Sequence, residues 1–374
     1  MTMETSTYDL EQLFGSDKVL VKSITLPKAV ESSNIPQKIL NYSFNIDKLN
    51  EILLFLCYPN NDCLYISGDA GCGKTSIILQ IAARLGWGVE QVTLSNKCES
   101  LDLVGHSTLK NGELVFEYGA LTKAMLNGEI LLLNEIDMMS ANDLSLLNDV
   151  AERKPLTIIQ NNGEVVHPHP NFRIICTANS QGNGDDTGFY AGARILNQAF
   201  LDRFRYLKMD YPSPTEEMAL VKRMYPTLSD DFTKKLCKLA YDVRECLKGG
   251  LDNGVRQLSA PFSTRTVLKI AGVAVNAPFY TPSKLIEMCY TMRLPDVERE
   301  YILRTANDIF GHAEEAKNDS QSTAVIAKVD LASSVTYQPI KSAPKTKTRR
   351  KTAKTDVQLG VQTSLDFENT NNVA

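Results

Sequence analysis

The sequence lacks any apolar run that approaches the roughly 20 residues needed to span a membrane as a helix. Its first stretch, MTMETSTYDLEQLFG, lacks the basic start and the apolar segment of a secretory signal peptide. A large net charge is also missing, since 40 basic side chains face 44 acidic ones and the net charge is -4. We therefore expect no membrane contact, and any contact with nucleic acid must be local.

Closely spaced pairs are missing among the eight cysteines, which lie mostly in apolar runs. Zinc sites and redox motifs place two cysteines close together, so the pattern predicts reduced thiols in a cytoplasmic protein. Prolines flank His167 and His169, and no further cluster of histidine or cysteine accompanies them. These two histidines therefore indicate a turn before a strand rather than a metal site.

What the chain has is enough apolar material for at least one full core, with 43% hydrophobic residues among 374. Between residues 44 and 210, short apolar runs alternate with helical stretches, which predicts an α/β domain with a mainly parallel sheet. Residues 211–312 are helical in pattern and predict a small lid domain. Residues 1–43 predict an arm that packs weakly or on a partner, and the polar residues 313–374 predict a disordered tail.

Two Asn-Gly pairs, Asn111-Gly112 and Asn162-Gly163, lie between segments with strand-like composition. Both residue types tolerate the positive φ angles of a tight turn. Each pair therefore predicts a β-hairpin that projects from the sheet.

The strongest motif is a complete G-x-x-x-x-G-K-T at residues 68–75, here called the phosphate loop, between the apolar strand CLYIS and a helix. Its glycines allow backbone N–H groups to surround a phosphate at the positive end of the helix. Lys74 is predicted to bridge β- and γ-phosphate oxygens, and the Thr75 hydroxyl to bind Mg²⁺. Cys72 is interpreted as a filler residue rather than a redox-sensitive thiol. The predicted nucleotide-binding residues are Gly68, Asp69, Ala70, Gly71, Cys72, Gly73, Lys74, Thr75 and Ser76.

A second apolar strand, ILLLNEID, ends in acidic residues. Glu135 is predicted to orient and polarise the attacking water. Asn134 stands where P-loop NTPases place an aspartate near Mg²⁺, and it keeps an acceptor oxygen without the negative charge. Asn134 is thus a predicted metal ligand together with Thr75. Either metal affinity is lower than usual or Asp137 compensates.

Three further polar residues follow in chain order. Asn179 ends a third apolar strand and is predicted to bind the attacking water or the γ-phosphate, the alternative being a turn residue. Arg203 is predicted to reach the nucleotide of a neighbouring subunit, the alternative being a surface salt bridge. Arg265 lies at a helix start, where the dipole does not favour its charge, which indicates a γ-phosphate sensor. Asp185 and Asp186 are either catalytic neighbours or loop-forming residues.

With these elements in this order, the sequence resembles the MoxR-type AAA+ ATPases over roughly residues 44–312. It is similar to cobaltochelatase-type ATPase subunits through LDLVGH, HPHPNFRIICTAN and GNGDDTGFYAGARILNQAFLDRF. The resemblance implies an AAA+ P-loop core with a helical lid, a hexameric ring, ATP with Mg²⁺ as cofactors, and a hairpin near residues 104–118. It also implies a partner with an integrin-like vWA domain.

Three functional hypotheses follow. The first is a ring-forming motor that hydrolyses ATP to remodel a partner protein or complex. The second is an ATPase tethered to nucleic acid by the basic run 341–354, for which a solvated flexible tail is the alternative. The third is an ATP-dependent switch in which Asn134 has weakened hydrolysis.

Overall fold

The fold is described here from a computed structural model of the chain. The described residues are 4–15, 19, 22–28, 31–185, 188–190, 192–249 and 258–311. The predicted disordered tail, its basic run 341–354 and Asp186 lie outside them.

The core of the molecule is one five-stranded parallel sheet. The strands of the described residues are β1 (Thr5–Asp9), β2 (Ser23–Pro27), β3 (Cys63–Ser67), β4 (Val89–Thr93), β5 (Gly105–Lys110), β6 (Glu113–Tyr118), β7 (Ile130–Asn134), β8 (Leu156–Ile158), β9 (Glu164–Val166), β10 (Arg173–Ala178) and β11 (Phe204–Lys208). The central sheet has the order β11-β3-β10-β7-β4, and each neighbouring pair is parallel. The predicted mainly parallel sheet is confirmed.

Helices cover both faces of this sheet. They are α1 (Leu10–Phe14), α2 (Ile46–Cys57), α3 (Lys74–Leu85), α4 (Ser100–Val104), α5 (Ala120–Asn127), α6 (Ala141–Leu144), α7 (Leu147–Ala151), α8 (Gln198–Leu201), α9 (Pro214–Met224), α10 (Asp230–Gly249), α11 (Thr264–Asn276), α12 (Pro282–Cys289) and α13 (Asp296–Phe310). Short 3-10 turns occupy Ile136–Met138, Ile159–Asn161 and Thr291–Arg293. None of the helices in the described part is long and apolar enough to cross a bilayer.

Alternating side chains of the central strands build two separate core layers. In β7, Ile130 and Leu132 pack into the layer that contains α2 and α3. Leu131 and Leu133 point to the other face, into the layer that contains α5. All five residues of β7 are buried, as expected for a parallel strand with helices on both faces.

The carboxyl ends of three central strands meet at one edge of the sheet. Ser67 at the end of β3 pairs with Ala178 of β10, and Asn134 at the end of β7 pairs with Thr177. The phosphate loop follows β3 directly. In open parallel sheets this edge is where ligands bind, so the register brings the predicted site residues together.

Helices α9 to α13 pack around an apolar core of their own, which includes Leu236, Ile270, Ile286 and Ile302. Helix α9 begins with Pro214 behind a capping box formed by Ser213 and Glu216. The helical character of this region agrees with the sequence pattern. The boundary at 210 and 211 stays a prediction, because the described residues belong to one compact unit.

Both hairpins predicted from Asn-Gly pairs are present. β5 and β6 are antiparallel, and Asn111 and Gly112 between them have φ angles of 54° and 89°. β8 and β9 also pair antiparallel, but the 3-10 turn Ile159–Asn161 precedes Asn162 and Gly163, so this connection is longer than a two-residue turn.

The N-terminal segment packs more tightly than its sequence predicts. β1 and β2 form an antiparallel pair, and Leu10 and Leu26 are each only 1% exposed. Both join the core layer that contains α2 and α3. The expectation of a weakly packing arm is wrong for these residues, because scattered apolar positions converge once the two strands pair.

Candidate functional site

A pocket of about 140 Å³ opens at the carboxyl edge of the central sheet. Four segments that are distant in sequence contribute to its wall: the phosphate loop with the start of α3, the end of β7, the end of β10, and the start of α11. The lining residues are Ala70, Gly71, Gly73, Lys74, Thr75, Ser76, Asn134, Glu135, Thr177, Ala178, Asn179 and Arg265. All the predicted catalytic residues except Arg203 therefore share one pocket.

The phosphate loop packs between Met209, which follows β11, and Ser263, which precedes α11. This close packing explains why two of its positions are glycine. Gly68 has a φ of 151°, and a Cβ there would lie 2.0 Å from the carbonyl oxygen of Met209. Gly71 has a φ of 79°, and a Cβ would lie 3.0 Å from the Cβ of Ser263. A side chain at either position would push the loop away from its neighbours.

Lys74 ties the phosphate loop to the end of β10. Its Nζ donates hydrogen bonds to the carbonyl oxygens of Gly68 at 2.6 Å and Asp69 at 3.0 Å, and to Oδ1 of Asn179 at 2.9 Å. An ammonium group has three protons, so these acceptors use all of them. Burial lowers the pKa of Lys74. The charge is thus held at a fixed place in the pocket.

Thr75 and Asn134 meet at the predicted metal position. The Thr75 hydroxyl donates to Oδ1 of Asn134 at 2.6 Å, and the Thr177 hydroxyl donates to the same oxygen at 3.1 Å. Nδ2 of Asn134 is buried and has no hydrogen-bond partner. A hydroxyl and an amide oxygen are hard ligands that suit Mg²⁺. The donor set therefore fits Mg²⁺, but both donors are neutral.

Asp137 does not replace the carboxylate that Asn134 lacks. It is buried and lies outside the pocket lining. Its Oδ2 accepts hydrogen bonds from the backbone N–H groups of Asn179 at 3.2 Å and Ser180 at 3.0 Å, and from the Ser180 hydroxyl at 2.8 Å. Asp137 thus positions the end of β10, and the structure favours the alternative of a weaker metal site.

Glu135 occupies an uncommon backbone conformation. Its φ of 57° and ψ of 48° place it in the left-handed region, which costs energy for a residue with a side chain. The residue is exposed, directly after the buried strand β7, and lines the pocket. Strain of this kind gathers at functional sites, where it sets the direction of a side chain.

The two predicted arginines lie in different places. Arg265 is exposed at the start of α11, which Ser263 caps, and it lines the pocket beside Gly71. Arg203 lies outside the pocket, where its Nε donates to Glu152 at 2.9 Å. A single chain thus shows the salt bridge that was the alternative for Arg203, and contact with a nucleotide would need a second copy.

Other residues complete the description of the site. Burial raises the pKa of the Cys72 thiol, which agrees with a filler role. His169 accepts a hydrogen bond at Nδ1 from the backbone N–H of Asn171, as in a turn. Sequence reasoning missed Tyr190 and Tyr211, whose hydroxyls contact the backbone of Ala70. The only signal for them was their position in GFYAG and YPSP, which carries no phosphate motif.

Comparison with known proteins gives consistent relatives. Residues 64–204 match the family model for the AAA domain of the dynein-related subfamily. The chain is 28% identical over 269 residues to the aerobic cobaltochelatase subunit CobS of Sinorhizobium sp, which aligns 70% of this chain with 79% of that protein. It is 28% identical over 231 residues to protein NorQ of Paracoccus denitrificans, and this match covers 62% of this chain and 80% of NorQ. It is also 28% identical over 229 residues to von Willebrand factor A domain-containing protein 8 of Mus musculus, and this match covers 54% of this chain and 12% of that protein.

Proposed function

We propose that this chain, an AAA+ ATPase of MoxR type, hydrolyses Mg·ATP within a ring and uses the reaction to remodel a partner protein or complex. One observation carries the proposal. Lys74, Glu135, Asn179 and Arg265 come from four separate segments and line one pocket beside a glycine-rich loop. Such a set of charged and polar groups suits phosphoryl transfer, which depends mainly on positioning and on charge stabilisation.

The phosphate chain is held by this protein's backbone and by Lys74. N–H groups of the phosphate loop and of the start of α3 would bind a phosphate, which the helix dipole also favours. Thr75 and Asn134 would hold Mg²⁺, which supplies charge neutralisation at the β- and γ-phosphate oxygens. Because both ligands are neutral, we expect the metal to bind mainly together with the nucleotide.

The water and the γ-phosphate are handled by three further residues. Glu135 polarises the attacking water, and its left-handed backbone aims the carboxylate from the end of β7. Asn179, whose Oδ1 accepts a hydrogen bond from Lys74 at 2.9 Å, would bind this water or the γ-phosphate. Arg265 senses the γ-phosphate from the lid side, because the start of α11 packs against Gly71.

Ring formation would explain why Arg203 is absent from its own chain's pocket. Its side chain is 26% exposed at the molecular surface, where a neighbouring subunit can approach. We propose a homo-hexamer in which each Arg203 leaves Glu152 and completes the neighbour's site. A planar guanidinium stabilises the charge that develops on the γ-phosphate.

The proposed partner contains a vWA domain. Three observations support it. One relative is a cobaltochelatase subunit, and another carries a von Willebrand factor A domain in its name. The hairpin β5-β6 also presents Leu109 and Leu114, opposite each other and 72% and 74% exposed, as an apolar contact for a partner. The basic run 341–354, on which the nucleic-acid hypothesis depends, lies outside the described residues.

A switch with slow hydrolysis is the second candidate function, and Asn134 favours it. The metal position has no carboxylate, and Asp137 is committed to the end of β10. Weak metal binding would leave ATP bound without rapid turnover.

Calorimetry and an ATPase assay test the proposal and separate the two candidates. We expect wild type to bind Mg·ATP, Lys74→Ala to lose binding, and Glu135→Gln to bind ATP without hydrolysing it. Turnover per chain should rise with protein concentration as rings form. Binding without turnover in wild type would favour the switch, and no binding by folded protein would overturn both.

A further inference from the structure

Two tyrosines from different parts of the chain grip Ala70 in the phosphate loop. The Tyr190 hydroxyl accepts a hydrogen bond from the Ala70 N–H at 3.1 Å and donates one to Oδ1 of Asp69 at 3.2 Å. The Tyr211 hydroxyl donates to the Ala70 carbonyl oxygen at 2.8 Å. Neither tyrosine lines the pocket. Both therefore contact the loop without lining the pocket themselves.

These contacts fix two successive peptide planes. In a trans peptide the C=O and the N–H point in opposite directions. In the peptide plane between Asp69 and Ala70, the Ala70 N–H donates to the Tyr190 hydroxyl. The Asp69 carbonyl oxygen of the same plane accepts a hydrogen bond from Nζ of Lys74 at 3.0 Å. In the next peptide plane, between Ala70 and Gly71, the Ala70 carbonyl oxygen accepts a hydrogen bond from the Tyr211 hydroxyl. The Gly71 N–H of this plane therefore points away from Tyr211, and Gly71 lines the pocket.

Each tyrosine is itself held in place. The Tyr190 N–H donates to Oδ2 of Asp185 at 2.6 Å. The Tyr211 ring lies 4.2 Å from the guanidinium of Arg244, which forms a buried ion pair with Glu217 of α9. Tyr190 thus links the phosphate loop to the segment between β10 and α8, and Tyr211 links it to the helical region.

Both hydroxyls stay protonated at neutral pH. Burial raises the pKa of Tyr190 to about 12, and burial also raises the pKa of Tyr211. A neutral phenol has one proton to donate and can accept at the same time. This is what the two contacts of Tyr190 require.

We propose that Tyr190 and Tyr211 are positioning residues that preset the phosphate loop for the nucleotide by fixing the Asp69-Ala70 and Ala70-Gly71 peptide planes. The inference rests on the proposed ATP site and adds two residues to it. A loop set in its bound conformation does not have to be ordered when the ligand arrives, which strengthens binding.

The effect should fall on nucleotides whose phosphates enter the loop. Removing one hydrogen bond that fixes a peptide plane should weaken Mg·ADP and Mg·ATP binding by about fivefold. Binding of adenosine, which has no phosphate, should not change. The loop should also open more often when no nucleotide is bound.

Tyr190→Phe and Tyr211→Phe test the proposal, with Tyr206→Phe as the matched control. The Tyr206 hydroxyl donates to the Leu201 carbonyl oxygen at 2.7 Å, outside the site. This control therefore loses one tyrosine hydrogen bond, as Tyr211→Phe does, whereas Tyr190→Phe loses two. Fluorescence titration with labelled ADP gives affinity. Hydrogen exchange of the peptide that contains residues 68–75 reports loop opening, and thermal unfolding reports overall stability.

We expect weaker ADP binding and faster exchange in both site variants and neither change in Tyr206→Phe. Unchanged ADP affinity in both site variants, or equal weakening in the control, would overturn the inference. If wild type itself binds neither Mg·ADP nor Mg·ATP, the proposed function fails instead. Should a site variant not fold, wild type labelled with ¹⁵N-alanine decides, because an unprotected Ala70 amide without nucleotide would overturn the inference.

Discussion

Nζ of Lys74 lies 2.9 Å from Oδ1 of Asn179, although the two residues are 105 positions apart in the chain. The first follows β3 and the second follows β10, and these strands are neighbours in the sheet. The contact joins the phosphate-binding charge to the residue proposed to hold the water. In the proposed function, this contact would link nucleotide binding to hydrolysis.

Asn179→Ala should slow hydrolysis far more than it weakens binding. The variant keeps the two carbonyl contacts of Lys74 and loses the amide that we propose orients the water and the γ-phosphate. We expect turnover to fall by about 100-fold, as for loss of one oriented polar group in other active sites, with ATP affinity within a few-fold of wild type. Steady-state kinetics and calorimetry measure both. Asn276→Ala is the control, since Asn276 lies outside the pocket lining and its Nδ2 donates to the Gly272 carbonyl oxygen in α11.

Asn134→Asp should strengthen Mg²⁺ binding. A carboxylate beside the Thr75 hydroxyl adds the charge that the present pair lacks. We expect the Mg²⁺ concentration for half-maximal ATP hydrolysis to fall by about tenfold, the factor that 1.4 kcal/mol gives. The matched control is Asn61→Asp, which adds the same charge at an exposed residue outside the pocket. An unchanged metal requirement in Asn134→Asp would remove Asn134 from the metal position.

Contiguous motifs and strand ends made much of the site predictable from sequence. Glycines and Lys74 in one short stretch identify the phosphate loop, and polar residues after buried strands meet because parallel strands end at one edge. Tyr190 and Tyr211 were not predictable, since they lie 120 and 141 positions from Ala70 and act on its backbone. Backbone groups leave no side-chain signature at the position that is contacted.

The same limit applies to the N-terminal segment. Leu10 and Leu26 lie in two short segments, LEQLF and SITLP, each of five residues, so their apolar periodicity is too brief to indicate what they pack against. Pairing of β1 with β2 brings both into the core, and a local pattern contains no information on that pairing. The role of Asp137 depends in the same way on β10, which lies far along the chain.

Glu217→Gln should destabilise the protein strongly. Glu217 is fully buried, and its carboxylate accepts hydrogen bonds from both terminal nitrogens of Arg244, at 2.8 and 3.0 Å, and from the Thr264 hydroxyl at 2.7 Å. The variant leaves a buried guanidinium without a counter-charge, which costs about 3–5 kcal/mol. Urea unfolding measures the loss. Glu287→Gln, which breaks an exposed pair with Lys284, should cost less than about 1 kcal/mol. Equal losses would contradict the assignment of Arg244 as a buried cation.

Stability should fall as the pH rises above 9. Burial raises the pKa of Cys63 from 9.0 to about 12, so above pH 9 the unfolded chain releases a proton that the folded chain keeps. The stabilisation is complete below the unfolded pKa and is lost as pH increases toward 12, by about 1.4 kcal/mol per pH unit for one thiol. Urea unfolding from pH 7 to pH 10.5 measures the slope. Cys63→Ala should show a shallower slope than wild type, and an identical slope would mean that other groups cause the loss.

Mixed rings provide the strongest test of the shared site. Arg203→Ala keeps its own pocket but offers no guanidinium to a neighbour, and Glu135→Gln offers Arg203 but has an inactive pocket. Each variant alone should hydrolyse ATP at least about 1000-fold more slowly than wild type, since an arginine supplied to a neighbouring site contributes about that much. A mixture should regain activity, because an Arg203→Ala pocket that faces a Glu135→Gln subunit is complete. Arg205→Ala is the control, since Arg205 lies two residues after Arg203 and pairs with Asp62. This variant should keep its activity without a second variant. Full activity of Arg203→Ala alone, or no recovery in mixtures that form rings, would contradict the shared site. Arg203 would then serve only in its salt bridge with Glu152.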